Sequence, residues 1–230
     1  MTVSEFQDLL RRKLGIPDLD PFELKYIVAA GRRELETRGN YYYMAASAPK
    51  DHTLVASQQS YNITVSTSNG LGLTNYKDKR ALFIQEVAGT QWIPVPIGNL
   101  QSSIEEKITT AAKPQSAVVD GDLLYFFPTP DAAYPIKLTY FDWTATPTDV
   151  TDTDELLTRW PDAALYASVM FGKRYLTQGK DQAIEWEAMM KEQIELLKKY
   201  TKARMGEMDT EISTSEAARI LQASGGGQTG

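Results

Sequence analysis

The chain has 230 residues, no Cys, one His and a formal net charge of −6. Disulfides, thiolate metal sites, a Cys nucleophile and a multi-His metal centre are excluded, and any Ser-His-Asp triad must use His52. The net acidity argues against a protein that coats nucleic acid, because phosphate neutralisation needs a basic surface, and no apolar run approaches the ~20 residues of a membrane helix.

The length leaves room for one domain or two small ones. The start, Met1-Thr2-Val3-Ser4-Glu5, is acidic and polar and does not read as a signal peptide. Three zones follow: helical, strand-like, helical. In the first, Thr2 with Glu5 reads as a capping box, and Val3, Phe6, Leu10 and Leu14 form one apolar stripe that Gly15 ends. Asp20-Pro21 opens a second helix as N-cap and first helical residue, and Gly39 stops it after Arg32, Arg33 and Arg38, which suit the negative helix end. This helix has two apolar faces. Leu24, Ile27, Val28, Gly31 and Leu35 share one; Phe22, Tyr26 and Ala29 lie opposite. A monomer's surface helix shows a single stripe. Either this helix is buried between two layers of its own domain, or one face awaits a partner subunit. Ile184 of the last helix joins Phe22, Tyr26 and Ala29 as a subunit-interface candidate.

The middle zone, about Tyr41 to Trp143, reads as strands. Tyr61, Ile63 and Val65 alternate with Asn62 and Thr64; Ala81–Val87 and Trp92–Val95 form a hairpin; Pro94 and Pro96 put the second of these strands at an edge. A short amphipathic helix is expected near Ser103–Thr109. Ala117–Val119 and Leu123–Phe127 flank the turn dipeptide Asp120-Gly121, and Ile136, Leu138 and Tyr140 alternate in a further strand. Short strands punctuated by turns predict an antiparallel β-sandwich or small barrel.

After a polar linker, Thr144–Thr153, Asp154 opens a short helix, Pro161–Leu176 reads as a mostly apolar one, and Thr177–Lys180 as a turn. Asp181–Arg204 reads as a long helix whose Trp186, Met189, Met190, Ile194, Leu197 and Tyr200 share a face, packed antiparallel on its predecessor. The predicted class is therefore α+β: two N-terminal helices plus a C-terminal helical hairpin (1–40 and 150–204), an inserted β module (41–149), and a C-terminal tail (205–230) expected to be disordered in the free chain. Within that tail Met205, Ile212, Ala217, Arg219, Ile220 and Leu221 are the candidate partner contacts.

Chemistry is sparse. His52 beside Asp51 would be a general base in a hydrolase, but the better reading is a loop histidine beside a strand, and no Gly-x-Ser-x-Gly elbow supplies a nucleophile. Asp149, Asp152, Asp154 and Glu155 lack the Gly and the final Glu of a calcium loop and read as solvated acids, with Asp154 a helix cap. Asn69-Gly70-Leu71-Gly72 lacks the third glycine of a dinucleotide loop, Asn62-Ile63-Thr64 is a chance sequon, and Arg11-Arg12-Lys13 is too short for a nucleic-acid patch. No cofactor and no enzymatic activity are expected. Tyr41-Tyr42-Tyr43, Trp92, Phe126-Phe127, Tyr140-Phe141 and Trp143 fall among the strands, so a carbohydrate- or receptor-binding β module is the alternative reading.

From Asp120 on, the residues carry a pattern. Asp120-Gly121-Asp122-Leu123-Leu124-Tyr125-Phe126-Phe127-Pro128-Thr129-Pro130 leads to Ile136–Phe141 and an acidic linker. Glu155-Leu156-Leu157-Thr158-Arg159-Trp160-Pro161-Asp162-Ala163-Ala164-Leu165 then opens a small-residue helix, followed by a turn and a long helix with Glu185-Trp186-Glu187. With the N-terminal helix pair ending in Gly39-Asn40-Tyr41-Tyr42-Tyr43, this resembles the head–tail adaptor (connector) proteins of tailed bacteriophages. The resemblance spans about Thr2 to Arg204, and the Gly-rich end departs from it. It implies a structural virion protein at the head–tail junction, made in the host bacterial cytoplasm and assembled as a ring, usually of twelve copies. The partners implied are the portal protein, held by the C-terminal extension, and tail, nozzle or fibre proteins, with double-stranded DNA passing through and no membrane contact. An acidic channel would repel the DNA backbone and let the genome slide.

Overall fold

Helix α1 (Val3–Leu14) starts where the capping box is read: Thr2 Oγ1 accepts from the Glu5 amide at 3.2 Å, and the Thr2 amide donates to Glu5 Oε2 at 2.8 Å. Two otherwise unpaired donors are thus satisfied. Gly15, at φ 78°, ends the helix; its amide donates to Arg12 O and that of Ile16 to Arg11 O, a Schellman motif whose left-handed residue favours Gly. Helix α2 (Pro21–Thr37) opens on Asp20, whose Oδ1 accepts from the Phe22 and Glu23 amides at 2.8 and 3.4 Å. The computed structural model describes residues 1–67, 69–87, 89–98, 110–145, 154–176 and 180–224, with the side chains of the last segment described over 183–205. The helix expected at Ser103–Thr109, most of the linker and the turn residues 177–179 lie outside the described residues.

The architecture is α+β, and the chain divides into two compact units, 1–43 with 145–230, and 44–144. In the first, α1 and α2 are joined by α3 (Glu155–Arg159), α4 (Pro161–Leu176) and α5 (Lys180–Ser224). Helix α4 packs against all four others, which is why Ala163, Ala164, Leu165, Ala167, Ser168, Val169, Met170 and Gly172 are all buried. Its small residues set the spacing. A Cβ on Gly31 of α2 would lie 2.5 Å from Ser168 Cα, and one on Gly172 would lie 2.7 Å from Leu14 Cδ2. The backbones of α2 and α4 touch where a side chain would hold them apart.

Helix α5 runs antiparallel to α4, with Tyr166 against Trp186 (ring centroids 5.8 Å) and Trp160 against Tyr200 (5.4 Å). Among its described side chains, the buried ones are Ala183, Met190, Ile194, Leu197 and Thr201. This corrects the expected face: the seam follows three-four spacing, which leaves Trp186 and Tyr200 at its margins and turns Met189 outward. The helix also does not end at Arg204. It continues to Ser224, so the segment read as a disordered tail is helical over residues 205–224. Glu, Met, Ala, Arg, Leu and Gln are good helix formers, and extending an existing helix avoids the cost of nucleation; Gly206 opposes it most, at about 1 kcal/mol, with Asp209, Thr210, Ser213, Thr214 and Ser215 each adding less.

The second unit holds two four-stranded sheets, from β1 (Lys50–Thr53), β2 (Ser60–Asn62), β3 (Tyr76–Gln85), β4 (Trp92–Val95), β5 (Ile97–Gly98), β6 (Ser116–Asp120), β7 (Leu123–Phe127) and β8 (Pro135–Asp142). Their orders are β1-β8-β3-β4 and β2-β7-β6-β5. One core takes Leu82, Ile84, Ile136 and Leu138 from the first sheet and Tyr61, Ala117, Leu124 and Phe126 from the second. The β3–β4 hairpin and the edge position of β4 are as the prolines predict. Asp120 faces Leu123, so Gly121, at φ 56°, takes the first of two turn positions, the place Gly favours in a type II′ hairpin.

Two strand expectations are corrected. The sheets are not wholly antiparallel: Pro96 separates β4 from β5, the chain changes sheets there, and β5 pairs parallel to β6. The strand read through Val65 stops at Asn62. Asn62 Oδ1 accepts from the Thr64 and Val65 amides at 3.0 and 2.8 Å, an Asx turn that redirects the backbone and leaves Val65 exposed.

The α2–α4 contact makes a direct prediction. Gly31→Ala forces the two backbones apart and lowers stability by about 1–3 kcal/mol. Urea denaturation measures it; an unchanged midpoint would mean that the helices do not meet this closely.

Candidate interaction surface

Arg32, Glu36 and Asp154 set the orientation of α2. All three side chains are buried, with Arg32 Nε donating to Glu36 Oε1 at 3.1 Å and Nη1 to Asp154 Oδ2. Asp154 also caps α3, its Oδ1 accepting from the Leu156 and Leu157 amides at 2.7 and 3.4 Å. Burial alone pulls the guanidinium pKa down, but the two carboxylates outweigh it and the net shift is upward. This corrects one expectation, because Arg32 faces inward rather than serving the exposed helix end; Asp154 is the helix cap the sequence predicts, and it is also buried and paired rather than solvated.

Around this group Tyr41 Oη donates to Leu35 O at 3.3 Å, with burial pushing its pKa up to about 12. Tyr43 stacks on Tyr41 at 5.7 Å; burial and then Glu36 push its hydroxyl far above the ordinary range, and that hydroxyl is buried with no hydrogen-bond partner. The Tyr42 amide donates to Thr201 Oγ1 at 3.0 Å. Tyr41, Tyr42 and Tyr43, counted with the strands in the sequence, therefore work in the helical unit.

With Leu24, Ile27, Gly31 and Leu35 inward, the other face of α2 is presented outward. Phe22 is 79% exposed and Tyr26 48%. Tyr26 meets Phe171 at 5.8 Å and Tyr175 at 5.3 Å, the latter itself 51% exposed. An aromatic cluster of this size, open to solvent, is the mark of a surface that another molecule covers. Tyr175 and Phe171 escape the sequence reading because they come from α4, and only the fold brings them beside Tyr26. Ala29 is half-buried on α2 and Ile184 exposed on α5. Met205 is half-buried, and Ile212, Ala217, Arg219, Ile220 and Leu221 lie on the continuing backbone of α5.

The other candidates have local explanations. His52 on β1 packs its ring on Tyr61 at 5.4 Å with Nε2 buried and unpartnered, while Asp51 lies 4.0 Å from Lys137, not on the imidazole. Among the strand aromatics, Lys137 Nζ sits 4.5 Å from the Trp92 ring and Lys77 Nζ 5.0 Å from Trp143, Phe126 and Phe141 are core residues, and Phe127 and Tyr140 are half-buried. Among the described residues there is no group of three or more His, Cys, Asp or Glu able to hold a metal, and no helix is long and apolar enough to cross a membrane.

Two measurements follow. Asp154→Ala leaves Arg32 and Glu36 buried without their third partner and uncaps α3, with an expected loss of about 3–5 kcal/mol; Asp154→Asn, which keeps the cap, loses less. Equal stability of both variants and the parent by chemical denaturation would remove this ion group from its orienting role. Burial, then Lys50, lowers the His52 pKa below 6.5. The unfolded chain therefore takes up this proton first, so stability falls as pH drops below about 6.5, and His52→Gln flattens that slope. The single histidine gives one imidazole NMR titration, expected to have its midpoint below 6.5.

Compared with known proteins, the sequence model of the SU10 adaptor protein family matches residues 1–214. No curated protein sequence matches the chain.

Proposed function

Because the chain belongs to the SU10 adaptor protein family, whose members are phage structural adaptors rather than a class of enzymes, we propose that it assembles as a ring joining the capsid portal to the tail. In this reading the helical units of neighbouring copies build the channel wall, with Phe22, Tyr26, Ala29 and Ile184 covered between them. The β module, read as a two-sheet sandwich, faces outward or toward tail, nozzle or fibre proteins. The C-terminal part of α5 with residues 225–230 holds the portal through Met205, Ile212, Ala217, Arg219, Ile220 and Leu221. The net acidity favours DNA sliding through such a ring over sticking to it. The work done is assembly: apolar surface leaves water as subunits meet, and no bond is made or broken.

The observation that carries this reading is the open aromatic cluster of Phe22, Tyr26 and Tyr175 in a chain of this family. A lone subunit leaves that surface in water, and a ring of identical subunits removes it.

Native mass measurement of the protein alone and mixed with its cognate portal ring is the test. Many copies per portal, approaching twelve, are expected; a single copy per portal or none overturns the ring. Truncation after Arg204 separates the second part of the reading. Portal affinity is expected to fall tenfold or more, about 1.4 kcal/mol, and undiminished binding by the truncated protein would remove the C-terminal segment from the contact.

A further inference from the structure

Helix α5 carries a second line of residues that the bundle does not use. Glu185, Met189, Glu192 and Leu196 follow one another at four-three-four spacing, which places them along a single stripe. All four are exposed, Met189 at 36% and Leu196 at 43%. Lys199 and Ala203 extend the same line. The stripe is aliphatic with acids interleaved.

The outward stripe of α2 is its chemical complement. Phe22, Tyr26, Ala29 and Arg33 also run at four-three-four spacing, with Lys25 beside Tyr26. Phe22, Lys25, Tyr26 and Arg33 are exposed. This stripe is aromatic with bases interleaved. Two helix faces with the same spacing can interdigitate as ridges and grooves, a thioether packs well on aromatic rings, and lysine and arginine opposite glutamates add attraction at the rim.

Charge also decides which face meets which. Pairing the α2 stripe with its own copy across a twofold axis sets Lys25 and Arg33 against Lys25 and Arg33. Pairing α5 stripes the same way sets Glu185 and Glu192 against themselves. Both self-pairings are penalised by like charges, and the cross-pairing is not. An interface that joins two different patches of one subunit is head-to-tail, the type that closes into rings.

We propose that the α2 stripe of each copy docks antiparallel on the α5 stripe of the next, with Tyr26 on Met189, Phe22 on Leu196, Lys25 facing Glu192 and Arg33 facing Glu185. The proposal rests on the ring reading and gives that ring its polarity: every subunit offers one aromatic-basic face and one aliphatic-acidic face.

The absence of cysteine makes the test clean. Single variants Tyr26→Cys and Met189→Cys, and the double variant, are assembled on the cognate portal ring and treated with a short thiol–thiol crosslinker. Circular dichroism and native mass check folding and assembly. The double variant is expected to give a covalent ladder of three or more copies on a denaturing gel. An equal mixture of the two single variants is expected to give dimers, and each single variant alone to stay uncrosslinked. A multi-copy ring by native mass with no ladder and no mixed dimer sinks this contact and leaves the ring standing; crosslinking of the Tyr26→Cys variant to the portal, not to another copy, sinks it too. No multi-copy species at all takes down the ring and this interface together. A charge arm avoids the aromatic positions. Lys25→Glu weakens assembly by roughly fivefold and adding Glu192→Lys restores it; failure of the second change to restore what the first removes argues against the pairing.

Discussion

The helical unit depends on one buried cation. Arg32 stands in the interior of the bundle, and a guanidinium there is tolerable because Glu36 lies one turn along α2 and Asp154 reaches it from the start of α3. The two acids differ in what they contribute. Glu36 is local, a neighbour that the helix itself supplies. Asp154 arrives from 122 residues away and, while it pairs with Arg32, also satisfies the first amides of α3. The point at which the chain re-enters the helical unit is thereby fixed to the inner face of α2. The ion group works together with the apolar face of Leu24, Ile27, Gly31 and Leu35, and between them they fix the rotation of α2 that sends Phe22 and Tyr26 outward.

Close packing completes the constraint. Gly31 against Ser168 brings α2 onto α4 with no side chain between, and Gly172 admits Leu14 and Ile27. Helix α4 is the shared neighbour of every other helix, so its small residues decide how near each can come. A bundle so tightly centred has little freedom to turn Phe22, Tyr26 or Tyr175 inward. Their exposure is built into the fold, which is why it reads as an interaction surface.

The amino-acid sequence reveals most where structure is set by near neighbours. Thr2 with Glu5, Gly15, Asp20-Pro21 and Asp120-Gly121 fix helix starts, a helix end and a hairpin through contacts within a few residues, and each is where the residues place it. The opposite apolar faces of α2 were legible for the same reason, as simple periodicity. Non-local facts were not. Nothing near Arg32 announces Asp154, nothing near Tyr26 announces Tyr175, and a parallel partner for the two residues of β5 cannot be read from either strand alone. Asn62 is an intermediate case: its signal is local, but the alternation of Tyr61, Ile63 and Val65 outvoted a side chain that caps two backbone amides. The helical course of α5 past Arg204 carries no apolar stripe to announce it and rests on helix propensity alone.

Helix α5 has 45 residues against 16 in α4, the helix it packs on, and among its described side chains the buried seam runs from Ala183 to Thr201. At 1.5 Å per residue it is a rod of about 68 Å, and the backbone past Thr201 accounts for about 35 Å of it. Such a rod is a lever. A tilt of about 5° near Thr201 swings the far end by roughly 3 Å. A body that grips the far end in one position therefore holds the angle at the fulcrum as well, and a change of packing among the five helices is felt, magnified, at the distal end.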